Sequence, residues 1–128
     1  MGYCITQGET QFTIKKAKQA EALAALKESI TSKGTTEDYD IPVLNAKTLK
    51  DALESIYWDV IVSRNTGDII NIFNTCEKLK EQEIDLKLLS PFVEEGSFIE
   101  FSGEDRLSWR WVFKDKKMRQ ITPTWDMS

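Results

Sequence analysis

The stretch Phe98-Ile99-Glu100-Phe101-Ser102-Gly103-Glu104-Asp105-Arg106-Leu107-Ser108-Trp109-Arg110-Trp111-Val112-Phe113-Lys114 decides the fold. Phe98 to Ser102 reads as a strand, Gly103 to Arg106 as a turn, and Leu107 to Lys114 as a second strand. Asp115-Lys116 makes another turn, Lys117 to Thr122 a third strand, and Pro123 ends it. Strand side chains alternate between faces, so Leu107, Trp109, Trp111 and Phe113 share one side. Ser108, Arg110, Val112 and Lys114 share the other. An unbroken apolar row belongs in a core, because leaving it wet forgoes about 1.5–3 kcal/mol per large side chain.

The same region carries charge. Arg106, Arg110, Lys114, Lys116, Lys117 and Arg119 stand against one acid, Asp115, in a chain whose net charge is −4. The rest of the chain is therefore strongly acidic. Cations interleaved with aromatic rings are the pattern of single-strand nucleic-acid binders, in which bases stack while cations follow phosphates. Alternation separates the two here, with rings inward and cations outward. Nucleic acid is accordingly not the expected partner, and Glu100 is a natural cross-strand partner for the cations.

Upstream, the hydrophobic period changes several times. Gly2 to Thr6 and Gln11 to Lys15 read as strands around a Gln7-Gly8-Glu9 turn, a first hairpin. Lys16 to Ser32 is helical, with Ala20, Leu23, Leu26 and Ile30 at helical spacing and Gly34 as its stop. Thr35 to Ala46 reads as a loop containing Pro42. Thr48 opens a helix with Asp51 three residues on, and Leu49, Ala52, Leu53, Ile56 and Tyr57 form its apolar stripe. Trp58 to Ser63 and Ile69 to Thr75 flank Arg64-Asn65-Thr66-Gly67-Asp68, a second hairpin. Lys78 to Asp85 reads as a solvated stretch, followed by a short helix at Leu86, Leu89 and Phe92 or Val93, stopped by Pro91 and Gly96. The expected fold is one α+β domain over residues 1–128. It is an antiparallel sheet of hairpins with about three helices packed on one face, in the order ββα-αββ-α-βββ.

Composition narrows the chemistry. In 128 residues there is no histidine, so the commonest general base and metal ligand are missing. Cys4 and Cys76 are too few for a disulfide scaffold or a four-thiolate zinc site. No leader peptide or membrane span is legible, and the expectation is a cytoplasmic protein with reduced thiols. Met1-Gly2-Tyr3-Cys4-Ile5-Thr6 fits the loose myristoylation pattern without a polybasic second signal. Glu37-Asp38-Tyr39-Asp40 lacks the glycine and terminal glutamate of an EF-hand loop. No phosphate-binding glycine loop occurs, so no metal, cofactor or catalytic residue is assigned. Trp125 either docks on the domain or meets a partner.

The run Phe92-Val93-Glu94-Glu95-Gly96-Ser97 leading into Phe98 to Asp105, the Trp109-Arg110-Trp111-Val112-Phe113 strand and the opening Met-Gly-Tyr-Cys resemble small uncharacterised bacterial and mobile-element proteins. Those proteins share a Gly-Glu-Asp turn and a Trp-Arg-Trp strand. The resemblance implies a bacterial or phage source and a cytoplasmic α+β protein, without an activity.

Together these features favour a non-enzymatic protein that binds another macromolecule, a protein for choice. An inhibitor or immunity-type protein acting by occlusion fits, because acidic faces match positive grooves. The candidate contacts are Glu37, Asp38, Asp40, Glu77, Glu81, Glu83, Glu94, Glu95, Glu104 and Asp105. The alternative is a small-anion or nucleotide binder built on Arg106, Arg110, Lys114, Lys116, Lys117 and Arg119. A third reading is a carboxylate and divalent-metal enzyme, with Glu100 and Glu104 as its test residues.

Overall fold

The computed structural model describes residues 4–76 and 82–122. Its strands are β1 (Ile5–Gln11), β2 (Trp58–Val62), β3 (Ile69–Asn74), β4 (Phe98–Gly103), β5 (Ser108–Lys114) and β6 (Lys117–Ile121). Its helices are α1 (Lys16–Ser32), α2 (Ile41–Asn45), α3 (Leu49–Ser55) and α4 (Gln82–Leu89), with 3₁₀ turns at Asp38–Asp40 and Ser90–Phe92. The class is α+β. The strands divide between two antiparallel sheets, β1-β4-β5-β6 and β2-β3, where a single sheet is expected from the sequence.

The C-terminal meander forms as its alternation requires. Glu100 faces Arg110, and Phe101 faces Trp109 across the β4–β5 ladder. Trp109, Trp111 and Phe113 are buried, and Phe101 packs on both tryptophans with ring centroids 6.0 and 5.1 Å away. Leu107 departs from the row: it lies in the turn ahead of β5 and is 64% exposed.

The first hairpin does not form. Residues read as its turn, Gln7-Gly8-Glu9, lie inside β1, which pairs antiparallel with β4 instead. Between Gln7↔Phe101 and Thr10↔Ile99 the register shifts by one residue, so the turn-like residues make a β-bulge. Glu100 lies 3.4 Å from where a Cβ on Gly8 would sit, so the bulge glycine leaves that side chain its place. A local turn signal is overruled here by an available sheet edge. Farther on, Ile14 makes an isolated antiparallel bridge to Ile69, exchanging hydrogen bonds of 3.0 and 2.9 Å.

That bridge begins a seam between the sheets, and side-chain amides continue it. Asn71 Nδ2 donates to the Thr10 carbonyl at 3.3 Å. Gln7 Nε2 donates to the Ile72 carbonyl at 2.9 Å, and Gln7 Oε1 accepts from the Asn74 N–H at 2.7 Å. The Gln7 amide thus presents a donor and an acceptor, as a peptide group would, where the two backbones have parted.

The helices are shorter or more numerous than their sequence periods suggest. Within α1 the buried stripe is Ala22, Leu26 and Ile30, with Leu23 half-buried and Ala20 exposed. The loop read over 35–46 holds the first 3₁₀ turn and α2, because Pro42 stands in the first helical turn, where its missing N–H costs nothing. Thr48 caps α3 by accepting from the Asp51 N–H at 3.1 Å. That helix stops at Ser55, and Tyr57, assigned to its apolar stripe, adopts φ 74° and is exposed. The stretch read as solvated is helical from Gln82 onward. Leu26, Leu53, Leu86 and Leu89 join Trp58, Ile72, Ile99, Phe101 and Trp111 in one contiguous core.

Two aspartates hold distant segments together. Helix α1 has no side-chain cap from Lys15, and Asp68, in the β2–β3 loop, accepts from the Lys16 N–H at 2.8 Å instead. That hydrogen bond holds the Asp68 carboxyl below its ordinary value. Asp40 is buried 2.6 Å from Lys33, and the Lys33 hydrogen bond, then that of the Glu37 N–H, lowers its pKa too. A lowered folded pKa contributes stability above the ordinary aspartate value of 3.8 that is lost as pH falls through the folded value. Acid titration of the thermal midpoint should therefore show a decline below that value. Asp40→Asn with Asp68→Asn should flatten it while lowering the midpoint at neutral pH.

Candidate functional site

Two-stranded hairpins have two faces, and a core consumes only one. Trp58, Val60, Ile69 and Ile72 fill the inner face of the β2–β3 hairpin. The outer face carries Asp59 opposite Phe73 and Ile61 opposite Asn71. Ile70 is an extra residue there, because the register runs from Ile61↔Asn71 directly to Val62↔Ile69. Ile61, Ile70 and Phe73 are 41%, 46% and 41% exposed. Three large apolar side chains together on one hairpin face are a patch, unlike single exposed residues, which are ordinary.

Beside Ile70 the seam opens into a cleft of about 400 Å³. Its walls are Thr10 and Gln11 at the end of β1 with Phe12 and Thr13 just after it, Ile70 and Asn71 of β3, and residues 94–97 ahead of β4. The walls are tied together: the Glu94 N–H donates to the Thr13 carbonyl at 2.8 Å, and the Thr13 N–H donates to Ser97 Oγ at 3.2 Å. Both glutamates at the rim are exposed. Glu95 Oε1 accepts from the Asp115 N–H at 3.0 Å, which fixes that carboxylate at the β5–β6 turn.

The acidic candidates among the described residues do not converge on one surface. Glu94 and Glu95 precede β4, whereas Glu104 and Asp105 follow it, about 17 Å away along the strand. Asp105 Oδ1 accepts from the Leu107 N–H at 3.2 Å within the turn, and the Glu104 N–H donates to the Cys4 carbonyl at 3.0 Å beside the last β1–β4 pair. Asp40 is buried and pairs with the exposed Lys33, Glu37 caps the same 3₁₀ turn, and Asp38 is exposed beside them. Glu83 pairs with Lys87 at 3.3 Å along α4. Glu77, Glu81 and Trp125 lie outside the described residues, as do the first three residues of the myristoylation pattern.

The basic candidates are more ordered. Lys114 faces Lys117 and Val112 faces Arg119, so Lys114, Lys117 and Arg119 share the outer sheet face with Arg110. Arg110 is engaged there: its guanidinium lies 4.6 Å from the Phe98 ring centre and bonds Glu100 at 3.2 and 3.3 Å and Glu9 at 3.4 Å. Lys116 is at the turn tip with φ 62°, and Arg106 is in the preceding turn with φ 69°. Trp109 and Trp111 lie on the opposite face of β5 from these cations.

Among the described residues, no three His, Cys, Asp or Glu side chains gather to hold a metal ion, and no helix is long and apolar enough to cross a membrane. Cys4 and Cys76 are free and half-buried. Neither charge nor a catalytic motif marks Ile61, Ile70 and Phe73 in the sequence. Their signal was present: Ile69-Ile70-Asn71-Ile72-Phe73 is apolar on both strand faces, more than a two-stranded hairpin buries. Comparison with protein-family models, with curated proteins and with solved structures finds no match that would assign this arrangement to a family.

Proposed function

We propose that this chain is a non-enzymatic binding protein that occludes a surface of another protein, with the outer β2–β3 face as its contact. The observation that carries the reading is the exposed group Ile61, Ile70 and Phe73 on a rigid hairpin whose other face is core. Exposed patches of this kind mark interaction sites, and aromatic anchors carry most interface energy. Burying each of them would contribute on the order of 1 kcal/mol. Of the acids expected to make contact, Glu94 and Glu95 border this face through the cleft at Ile70. They would form its polar rim. Inhibitors and immunity-type proteins act in this way, by shape and charge, without chemistry of their own.

Photo-crosslinking tests the reading. A photoreactive side chain placed at Phe73 should capture a discrete host protein, and one placed at Glu104, at the opposite end of β4, should not. With the photoreactive side chain kept at Phe73, replacing Ile61 and Ile70 by threonine should abolish capture while moving stability by no more than about 0.5 kcal/mol, as surface substitutions do. Equal capture from both positions, or none from Phe73, would remove the hairpin face from consideration.

A further inference from the structure

We infer that the docked partner presents a lysine or arginine beside apolar anchors, and that this cation enters the cleft at Glu94. The inference rests on the hairpin face being the docking surface, and it adds the chemistry of what docks. Three observations carry it. First, the apolar face and the cleft are continuous, because Ile70 belongs to both. A segment lying over Phe73 and Ile61 therefore runs on past Ile70 to the cleft. Second, the cleft's ionisable rim is acidic, with Glu94 and Glu95 exposed there and Asp59 on the hairpin face itself. The matching partner surface is apolar with positive charge around it. Third, the cleft is large enough for an extended basic side chain, and Lys and Arg bury their methylene stems against apolar walls while the head stays polar. Ile70 supplies such a wall, and Glu94 supplies the counter-charge.

Selection from a library of random short peptides, displayed against the intact protein, tests this without knowing the natural partner. Wild-type protein should enrich sequences with Lys or Arg next to Phe, Leu or Trp. Glu94→Lys should weaken a selected peptide by at least about tenfold, and Glu104→Lys, at the far end of β4, should leave it unchanged. Raising salt should weaken the wild-type complex and not the residual binding of Glu94→Lys. An unchanged thermal midpoint for Glu94→Lys confirms that folding is intact. Enriched peptides that lack basic residues but lose binding on Phe73→Thr would overturn this inference and leave the docking face standing. Peptides indifferent to Phe73→Thr, or no enrichment at all, would overturn both.

Discussion

Trp111→Ala should lower stability by about 3–5 kcal/mol, the range for deleting a large buried aromatic. That corresponds to a fall in thermal midpoint of roughly 10 °C or more for a domain of this size. Trp111 is 1% exposed, sits edge-on to Trp109 at 6.1 Å, and donates from Nε1 to Gln120 Oε1 at 3.0 Å. Its loss leaves a cavity beneath β4 and β5 and strips Gln120 of a partner. Arg110→Ala, one residue away, is the contrasting case. Its bonds to Glu100 and Glu9 and its place over the Phe98 ring lie on the outer, partly shielded face, and losing them should cost about 1–2 kcal/mol, less than losing the ring. Calorimetry on the two variants measures directly which face of β5 is structural. Similar midpoints would contradict the assignment of the ring row to the core.

The second large effect belongs to Gln7. Gln7→Ala should cost about 2–4 kcal/mol, because it leaves the Ile72 carbonyl and the Asn74 N–H without partners. Gln7→Glu retains the acceptor for Asn74 but sets a carboxylate oxygen against the Ile72 carbonyl, so it should not restore wild-type stability. Amide exchange gives the more specific readout: protection should drop first at Asn74 and along β3, with the β4–β5 ladder affected less. Since β3 carries Ile70 and Phe73, loosening the seam should also weaken binding at the hairpin face. Uniform loss of protection in both sheets would mean that Gln7 supports the fold generally and is no clamp between them.

Much of this protein was legible in its residues. The three C-terminal strands, the ring row at Trp109, Trp111 and Phe113, α1 with its stop at Gly34, the Thr48 cap and the β2–β3 hairpin follow from period, turn chemistry and capping. Those signals act over a few residues and survive in any environment. Reading the tryptophans as core rather than as a stacking platform also followed from alternation alone. The charge of the C-terminal strands was visible as well, although whether its cations were paired was not: Arg110 finds Glu9 across 101 residues of sequence.

Tertiary structure decided everything that depends on which edge or surface is already taken. Gln7-Gly8-Glu9 became a bulge because β4 offered a ladder that a local turn could not match. Asp68 became the cap of α1, and Gln7 the clamp on β3, because folding places them beside unmet backbone groups. Ile70 and Phe73 have the same composition as buried strand residues. They are exposed because β3 belongs to a hairpin whose single covered face is filled by Ile69 and Ile72. Local chemistry therefore specified the elements of this protein, and the competition for buried surface and free backbone groups specified the face it presents.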